Sequence, residues 1–551
     1  MNPTARKTLS SCFYLPTHAT IMNKFFPLTV LFLLLSQGLW AQELAVPQVL
    51  PTSVQDALRL TDLNPLGSAR FMGTGGSMTP IGVDYTTLHT NPAGIGWNRT
   101  SFASASVGYS NLSNDARLRG NAANRSASAS EGSLIVPNLG FVYAGEGRSV
   151  RWPTINYGIS LVRLADFNET IQYAGSSQRS IIDGIVEDLN AFDRGEIFFE
   201  DLDPNRELLI LDIDPSIGTD ILDPADDNRA IRYDEFGYFS EFDLAENAGQ
   251  EIDRSGTVVR SGGINEVALG VGGNYDNSIL WGISIGIPFM NYSEQRVYDE
   301  VDRNDNITVF DEAAFDENTE LDGTGFNFKF GAIYLPTPQS RISLSIHSPT
   351  YWTLDEAYNT ELTYNYTLGD DALGGTAQSD LNIATINFSS PWRFNLGGGY
   401  LINTNGFISA DVEYVNYKGG RFGVDDFAEF DAAADADIDA TLGGAINAKI
   451  GGELNLKPFQ VRAGVGYRTL PVATARYGED EGFLTYSGGA GYSIGKFFVD
   501  AAVRFESASG YFAPYRTFAL SDADGGALDP NIVDVDRTRI TGAITVGFRG
   551  F

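Results

Sequence analysis

Apolar and polar residues alternate with a period of two through most of the chain beyond residue 100. In 497–505, Phe497, Val499, Ala501, Val503 and Phe505 fall on one face, and Phe498, Asp500, Ala502 and Arg504 on the other. Ile279, Trp281, Ile283, Ile285, Ile287 and Phe289 oppose Ser278, Gly282, Ser284 and Gly286; Ile342, Leu344 and Ile346 oppose Ser343, Ser345 and His347. Phe459, Val461, Ala463, Val465 and Tyr467 oppose Gln460, Arg462, Gly464 and Arg468. A two-residue period with one apolar face is that of a half-exposed strand. In a soluble sandwich the apolar face packs a core, whereas in a membrane barrel it meets lipid and the charges line the lumen. Alternation alone leaves both open.

Connection lengths separate them. The pattern predicts about fourteen strands, near 100–112, 133–145, 153–166, 263–275, 278–293, 322–335, 340–350, 390–402, 405–417, 443–456, 458–470, 482–494, 496–508 and 538–551. After each even-numbered strand the connection is short, as at Asp276-Asn277, Asn403-Thr404 and Ile494-Gly495; after odd-numbered strands it is usually long, the longest spanning about 167–262. Short and long connections alternate in this way in an outer-membrane barrel with tight periplasmic turns and extended outer loops. The fold class expected is therefore all-β, a transmembrane antiparallel barrel of about fourteen strands over residues 100–551. The terminal aromatic Phe551 is the feature barrel-assembly machinery reads, although it has the opposite parity to Ile540, Ile544, Val546 and Phe548 and needs a bulge at Gly550 to share their face.

The N-terminus supplies the compartment. Residues 22–41 run from Met22-Asn23-Lys24 through an apolar stretch, Phe25 to Leu35, to Ala41 before Gln42, the order of a secretory signal peptide. Residues 1–21 read as an upstream extension, a misassigned start or a long n-region, so Cys12 and His18 are expected to be absent from the mature protein. The apolar stretch is too short to span a bilayer as a helix, which leaves strands to do so.

Composition narrows function more than fold. There are 70 Asp and Glu against 37 Lys and Arg, a formal net charge of −33, with 60 Gly, 3 His and one Cys. Nucleic acid is excluded as a partner because a phosphate-binding surface needs clustered cations. So few His and Cys leave little for metal or thiol chemistry, and neither a cofactor nor a metal is expected. The acid concentrates in the long connections, about a third of it between 167 and 262, with further Asp-rich stretches near 299–322 and 424–439. Asp201-Leu202-Asp203 and Asp212-Ile213-Asp214 lack the glycine and distal Glu of a calcium loop, so a solvated outer face is the simpler reading. In the longest connection Ile181, Ile182, Ile185, Leu189, Phe192, Ile197, Phe198 and Phe199 suggest a short helix or apolar cluster over the mouth, either an entry site or a cap that packs the loop on itself. His347 shares a face with Ser345 but not Ser348, and no nucleophile motif surrounds either, so no catalytic residue is assigned.

Residues 58–110 carry a resemblance. Gly67-Ser68-Ala69-Arg70-Phe71-Met72-Gly73-Thr74-Gly75-Gly76, then Asp84, then Asn91-Pro92-Ala93-Gly94, then a strand from Ser101, resemble the start of the FadL/TodX family of outer-membrane transporters for hydrophobic compounds. Ser390-Pro391-Trp392-Arg393-Phe394-Asn395-Leu396 and Val461-Arg462-Ala463-Gly464-Val465-Gly466-Tyr467 resemble the same family further on. The resemblance implies that residues 42–99 form a hatch in the lumen, that fatty-acid or aromatic-hydrocarbon compounds diffuse passively past it, and that they leave through a kinked wall strand, the third being the family-guided choice. In physical terms, Gly67, Gly73, Gly75 and Gly76 allow a compact backbone against the wall. Asp411, Glu413, Lys449, Glu453, Arg462, Arg468, Asp500 and Arg504 are predicted to point inward, either holding a hatch or solvating a pore. The expected partners are outer-membrane lipid, a hydrophobic small molecule and the assembly machinery, with the barrel a monomer. A general diffusion porin and a surface adhesion barrel acting through its acidic loops stay open as alternatives.

Overall fold

Each wall strand pairs antiparallel with its chain neighbour, and the last pairs with the first. The computed structural model describes residues 52–550 apart from 185, 187–189, 191–193, 195–230, 235–236, 245, 248, 369, 425–427, 473–481 and 515–531. The signal-peptide segment, Cys12 and Phe551 lie outside the described residues, as do Ile185, Leu189, Phe192, Ile197, Phe198 and Phe199. The wall comprises β1 (Phe102–Leu118), β2 (Ala127–Ser149), β3 (Trp152–Asp166, continued by Glu169–Ser177), β4 (Ile252–Tyr275), β5 (Ile279–Val301), β6 (Phe310–Tyr334) and β7 (Ser340–His347, continued by Tyr351–Leu368). It goes on with β8 (Asp371–Gln378, Asn382–Ser389 and Arg393–Leu401 in line), β9 (Gly406–Asn416, then Arg421–Val424), β10 (Gly444–Leu456), β11 (Phe459–Arg468), β12 (Phe483–Ile494), β13 (Phe497–Phe512) and β14 (Val533–Arg549). The nineteen segments of one sheet thus make fourteen wall strands, and β14 closes on β1 from Phe102↔Arg549 to Leu118↔Val533.

The apolar face is the outer one. Ile283, Ile285, Ile287, Phe497, Val499 and Val503 are exposed, whereas their alternates Ser284, Phe498, Asp500, Ala502 and Arg504 are buried. A core would show the reverse, so the two-residue period here belongs to a wall with lipid outside. Aromatic residues gather at both ends of this band: Trp152, Tyr275 and Trp281 pack edge to face beside the short turns, and Phe326 and Tyr351 meet at 5.2 Å near the other rim. Tyrosine and tryptophan are amphipathic and settle at the head-group level. Among the described residues no helix is long and apolar enough to cross a membrane.

On the long-loop side the strands outrun their predicted ends. β4 begins at Ile252 instead of 263, β5 reaches Val301 instead of 293, β6 starts at Phe310 instead of 322, and β7 continues to Leu368 instead of 350. The acidic stretch near 299–322 is therefore largely strand, the longest connection shortens to 178–251, and the stretch near 424–439 contains a helix, Ala428–Thr441. Beyond Phe289 the outward positions of β5 become Asn291, Ser293 and Gln295, all exposed. Pairing continues there in water, without the apolar face that marks a strand in sequence.

Candidate functional site

The lumen is filled by the segment before β1, and a cavity remains above it. That segment begins with α1 (Thr52–Thr61), whose buried face, Val54, Ala57 and Leu60, packs in one apolar cluster with Met290, Tyr292, Leu321, Trp352 and Leu354 of the inner wall and with Ile438 of the outer-connection helix α3 (Ala428–Thr441). α2 (Ala69–Gly73) lies between them in sequence and is capped by Ser68, whose Oγ accepts from Phe71 N at 3.0 Å and donates to Asp84 at 2.6 Å. A short 3₁₀ turn, Pro92–Trp97, is capped by Asn91: its Oδ1 accepts from Ala93 N at 3.1 Å while φ −147° and ψ 97° hold it extended before Pro92. Asn91 Nδ2 also donates to Thr79 O at 3.3 Å, and Gly94 N to Asn91 O at 3.0 Å.

The predicted glycines act in two ways. Gly67, Gly75 and Gly76 have φ of +66°, +68° and +75°, a region that disfavours a side chain. Gly73 ends α2 close to the wall, where a Cβ would stand 3.3 Å from Gly489 Cα. The wall answers with glycines that parity alone did not single out: a Cβ on Gly451 would collide with the Thr74 carbonyl, one on Gly282 with Pro92, and one on Gly331 with Asn91 Oδ1. Their signal in the sequence is a glycine at an inward strand position.

All eight predicted lumenal residues point inward, and seven of them are tied into ion pairs or hydrogen bonds. Glu453 receives Arg70 of the plug at 2.8 and 3.1 Å and Arg462 at 2.7 Å, and Arg462 passes on to Asp500 at 2.7 Å. Asp411 accepts from Thr79 N at 3.2 Å and Thr79 Oγ1 at 2.5 Å. Glu413 receives Arg393 at 3.1 Å and Asn447 at 2.9 Å, while Arg393 also donates to the Thr61 carbonyl. Arg468 joins Asp62 of the plug to Glu506, the latter at 3.0 Å, and Arg504 approaches Glu506 at 3.3 Å. Lys449 makes no hydrogen bond or ion pair among the described residues; a Cβ on Gly76 would lie 3.5 Å from its Nζ.

One buried group escaped the sequence reading. His89 Nδ1 lies 2.7 Å from Glu266 and its Nε2 2.8 Å from Ser160 Oγ, and Glu266 also takes Lys329 at 2.7 Å. Plug residues have no periodicity that would reveal such partners. His347 Nε2 and Ser345 Oγ both donate to the Thr90 carbonyl at 2.7 Å, so both serve to hold the plug.

Above the plug lies a cavity of about 470 Å³. Its apolar lining includes Leu58, Leu66, Leu112, Leu164, Phe483 and Phe512, and its charged lining has seven arginines against four carboxylates. Three of the four carboxylates are shared between guanidinium groups: Glu169 takes Arg260 and Arg537, each at 2.7 Å, Asp166 takes Arg163 at 2.9 Å and Arg539 at 3.0 Å, and Glu506 takes Arg468 and Arg504, while Asp62 pairs with Arg468 alone. Buried Arg504 Nε has no hydrogen-bond partner among the described residues. Behind the lining, Arg59 pairs with Asp56, and Arg260 and Arg296 with Glu294; every arginine carries five donors, so N–H groups remain for an acceptor. Over the cavity the outer connections close an apolar cluster in which Ile181, Ile182 and Phe242 pack with Phe310 and Tyr364 of the wall, so the described part of the apolar loop residues forms a cap.

Beside the cavity the wall has a seam. β2 and β3 pair from Ser149↔Trp152 only as far as Asn138↔Val162, whereas β2 goes on pairing with β1 to Ala127 and β3 with β4 to Ser177. The register of β3 slips between Arg163 and Ala165, and the carbonyls of Arg163 and Leu164 accept from Leu66 N at 3.0 Å and Asn64 N at 2.9 Å of the plug. Leu134 and Val136, 88% and 52% exposed, stand on the lipid side of the seam.

No family model and no curated protein matches this chain. The barrel is similar to solved transporter structures. A Pseudomonas aeruginosa FadL homologue shares 12% identity over 89% of this chain and 99% of its own, with a TM-score of 0.49. The P. putida toluene transporter TodX shares 11% over the same fractions, also at 0.49. The Ralstonia pickettii toluene transporter TbuX shares 13% over 89% of this chain and all of its own, at 0.44. The closed barrel described above stands on its own strand pairing.

Proposed function

We propose that this protein is an outer-membrane channel through which hydrophobic small molecules with an anionic head group diffuse passively. The observation that carries the reading is the outer cavity: it combines apolar walls with a surplus of guanidinium groups and borders the seam between β2 and β3. Apolar burial stabilises a guest by about 25 cal/mol per Å², enough to draw an amphiphile from water without energy input. Charge-assisted bonds to arginine fix its head group. Residues 42–99 act as the hatch, and the third strand, where β3 leaves β2, supplies a sideways exit toward lipid. A general diffusion porin needs an open lumen, which the packed plug argues against.

Titration calorimetry on detergent-purified protein tests this. Dodecanoate is expected to bind saturably, and Arg504→Met combined with Arg539→Met to weaken it by about tenfold or more, the size of one or two lost charge-assisted hydrogen bonds. Equal binding of dodecanoate before and after those substitutions contradicts the assignment.

A further inference from the structure

At the short-turn end of β10 to β14 the wall offers two lysines to its surroundings. Lys457 lies in the two-residue turn between β10 and β11, Lys496 in that between β12 and β13, and both are exposed. Backbone bonds fix each turn to the next strand end: Ser493 N donates to the Pro458 carbonyl at 3.1 Å, and Arg549 N to that of Lys496 at 2.8 Å. Lys457 has no hydrogen-bond or ion-pair partner among the described residues. Lys496 Nζ gives one proton to the Gly550 carbonyl at 2.8 Å, which leaves it two to donate. Arg549 lies over the inward Phe498 ring at 4.5 Å and so faces the lumen.

No outward position of β10 to β13, nor of β14 from Ile540 on, holds a charged residue. Next to the two turns those positions are aromatic: Phe459 and Tyr492 pack at 5.2 Å, and Phe497 and Phe548 at 4.9 Å. Lys496 Nζ is 5.7 Å from the centre of the Phe548 ring. A turn of two residues cannot carry a lysine far from such a shelf, so both ammonium groups sit at the head-group level. Two strand spacings, about 10 Å, separate the turns, and two flexible lysine side chains can close that distance on one head group. The opposite rim is the reverse, with Glu320 and Asp322 of β6 and Asp355 of β7 outward and exposed. One leaflet therefore meets cations where the other meets acids.

We infer that this patch holds an acidic glycerophospholipid of the leaflet on the short-turn side. Its phosphate lies between Lys457 and Lys496, and its acyl chains run along the Phe459–Tyr492 and Phe497–Phe548 pairs. An anionic lipid gains attraction from each cation at the membrane surface. A zwitterionic lipid carries its own ammonium and gains far less. Such a site is independent of what passes through the lumen.

Native mass spectrometry of the full chain in an uncharged detergent, with equal amounts of dioleoylphosphatidylglycerol and dioleoylphosphatidylcholine, reads the preference. Phosphatidylglycerol is expected to be retained about tenfold or more over phosphatidylcholine. Lys457→Gln combined with Lys496→Gln should abolish the preference, whereas Arg151→Gln, in the turn between β2 and β3, should leave it. Heat-modifiable migration confirms that each variant is a folded barrel. Inorganic phosphate in excess should not displace the lipid. Equal retention of the two lipids, a preference that survives the double substitution, or one that Arg151→Gln removes as well overturns the site. Displacement by inorganic phosphate overturns it too, because the patch would then bind phosphate without using the aromatic shelf.

Discussion

Arg462 illustrates how single residues hold this molecule together. It bridges Glu453 and Asp500 inside the lumen, and Glu453 in turn grips Arg70 of the plug. Arg462→Met leaves two buried carboxylates short of a partner, a loss of about 3–5 kcal/mol by the usual cost of breaking a buried pair. Urea unfolding of the detergent-solubilised variant should show it, and an unchanged midpoint would contradict the network. Asp183, in the outer connection after β3, gives a pH dependence. Burial pushes its carboxyl up to about 6, even though Arg179 at 2.9 Å and Ser180 N at 2.8 Å favour the anion. An open loop ionises near 3.9, so the closed cap is most stable below that pH, loses about 3 kcal/mol as pH rises to about 6, and stays level beyond. Exchange at Ser180, corrected for its intrinsic rate, should be faster at pH 7.5 than at 4.5, and Asp183→Asn should remove the difference. The inward set from Asp411 to Arg504 was legible because strand parity alone decides which face a residue takes. Their partners Asp62, Arg70 and Thr79 were not, because nothing periodic marks a side chain on an irregular plug.

Strands and plug are legible to different degrees for the same reason. Short turns such as 276–278 and 495–496 and the lipid-facing stretches between them carry alternation and turn residues. The upper halves of β4 to β7 are hidden, because their outward residues face water instead of lipid and are polar, while their inward residues mix apolar and charged groups, so the contrast that alternation needs is lost. The seam in β3 is hidden as well: Val162 to Asp166 reads as an ordinary strand, and only the missing pairs to β2 reveal it. Plug docking depends on inward glycines of the wall, which gives an element-scale prediction. Gly451→Val places a side chain where the Thr74 carbonyl sits. Overpacking of this kind costs about 1–3 kcal/mol, so limited proteolysis should cut residues 62–80 in the variant while the barrel stays intact. Resistance equal to the parent's would mean that the plug does not press on β10.

The whole chain divides its charge between its longest connection and the lining of its cavity. Net charge is −33, and all but two of the acidic residues between 167 and 262 belong in sequence to the connection 178–251, while the cavity has seven arginines to four carboxylates in its lining. An acidic exterior repels anions at long range, but the screening length is about 8 Å at physiological ionic strength, so the arginines act only on a guest that apolar burial has already drawn in. Deleting residues 42–99 should turn a nearly closed lumen into an ion-conducting pore, visible as a large rise in single-channel conductance; an unchanged conductance would mean that the segment plugs nothing. Uptake tests the central claim most directly. Cells carrying this barrel in an otherwise intact outer membrane should take up labelled dodecanoate saturably and faster than cells carrying an unrelated barrel of similar width. Uptake no faster than in that control, with the protein folded and present at the surface, would contradict a channel for hydrophobic compounds.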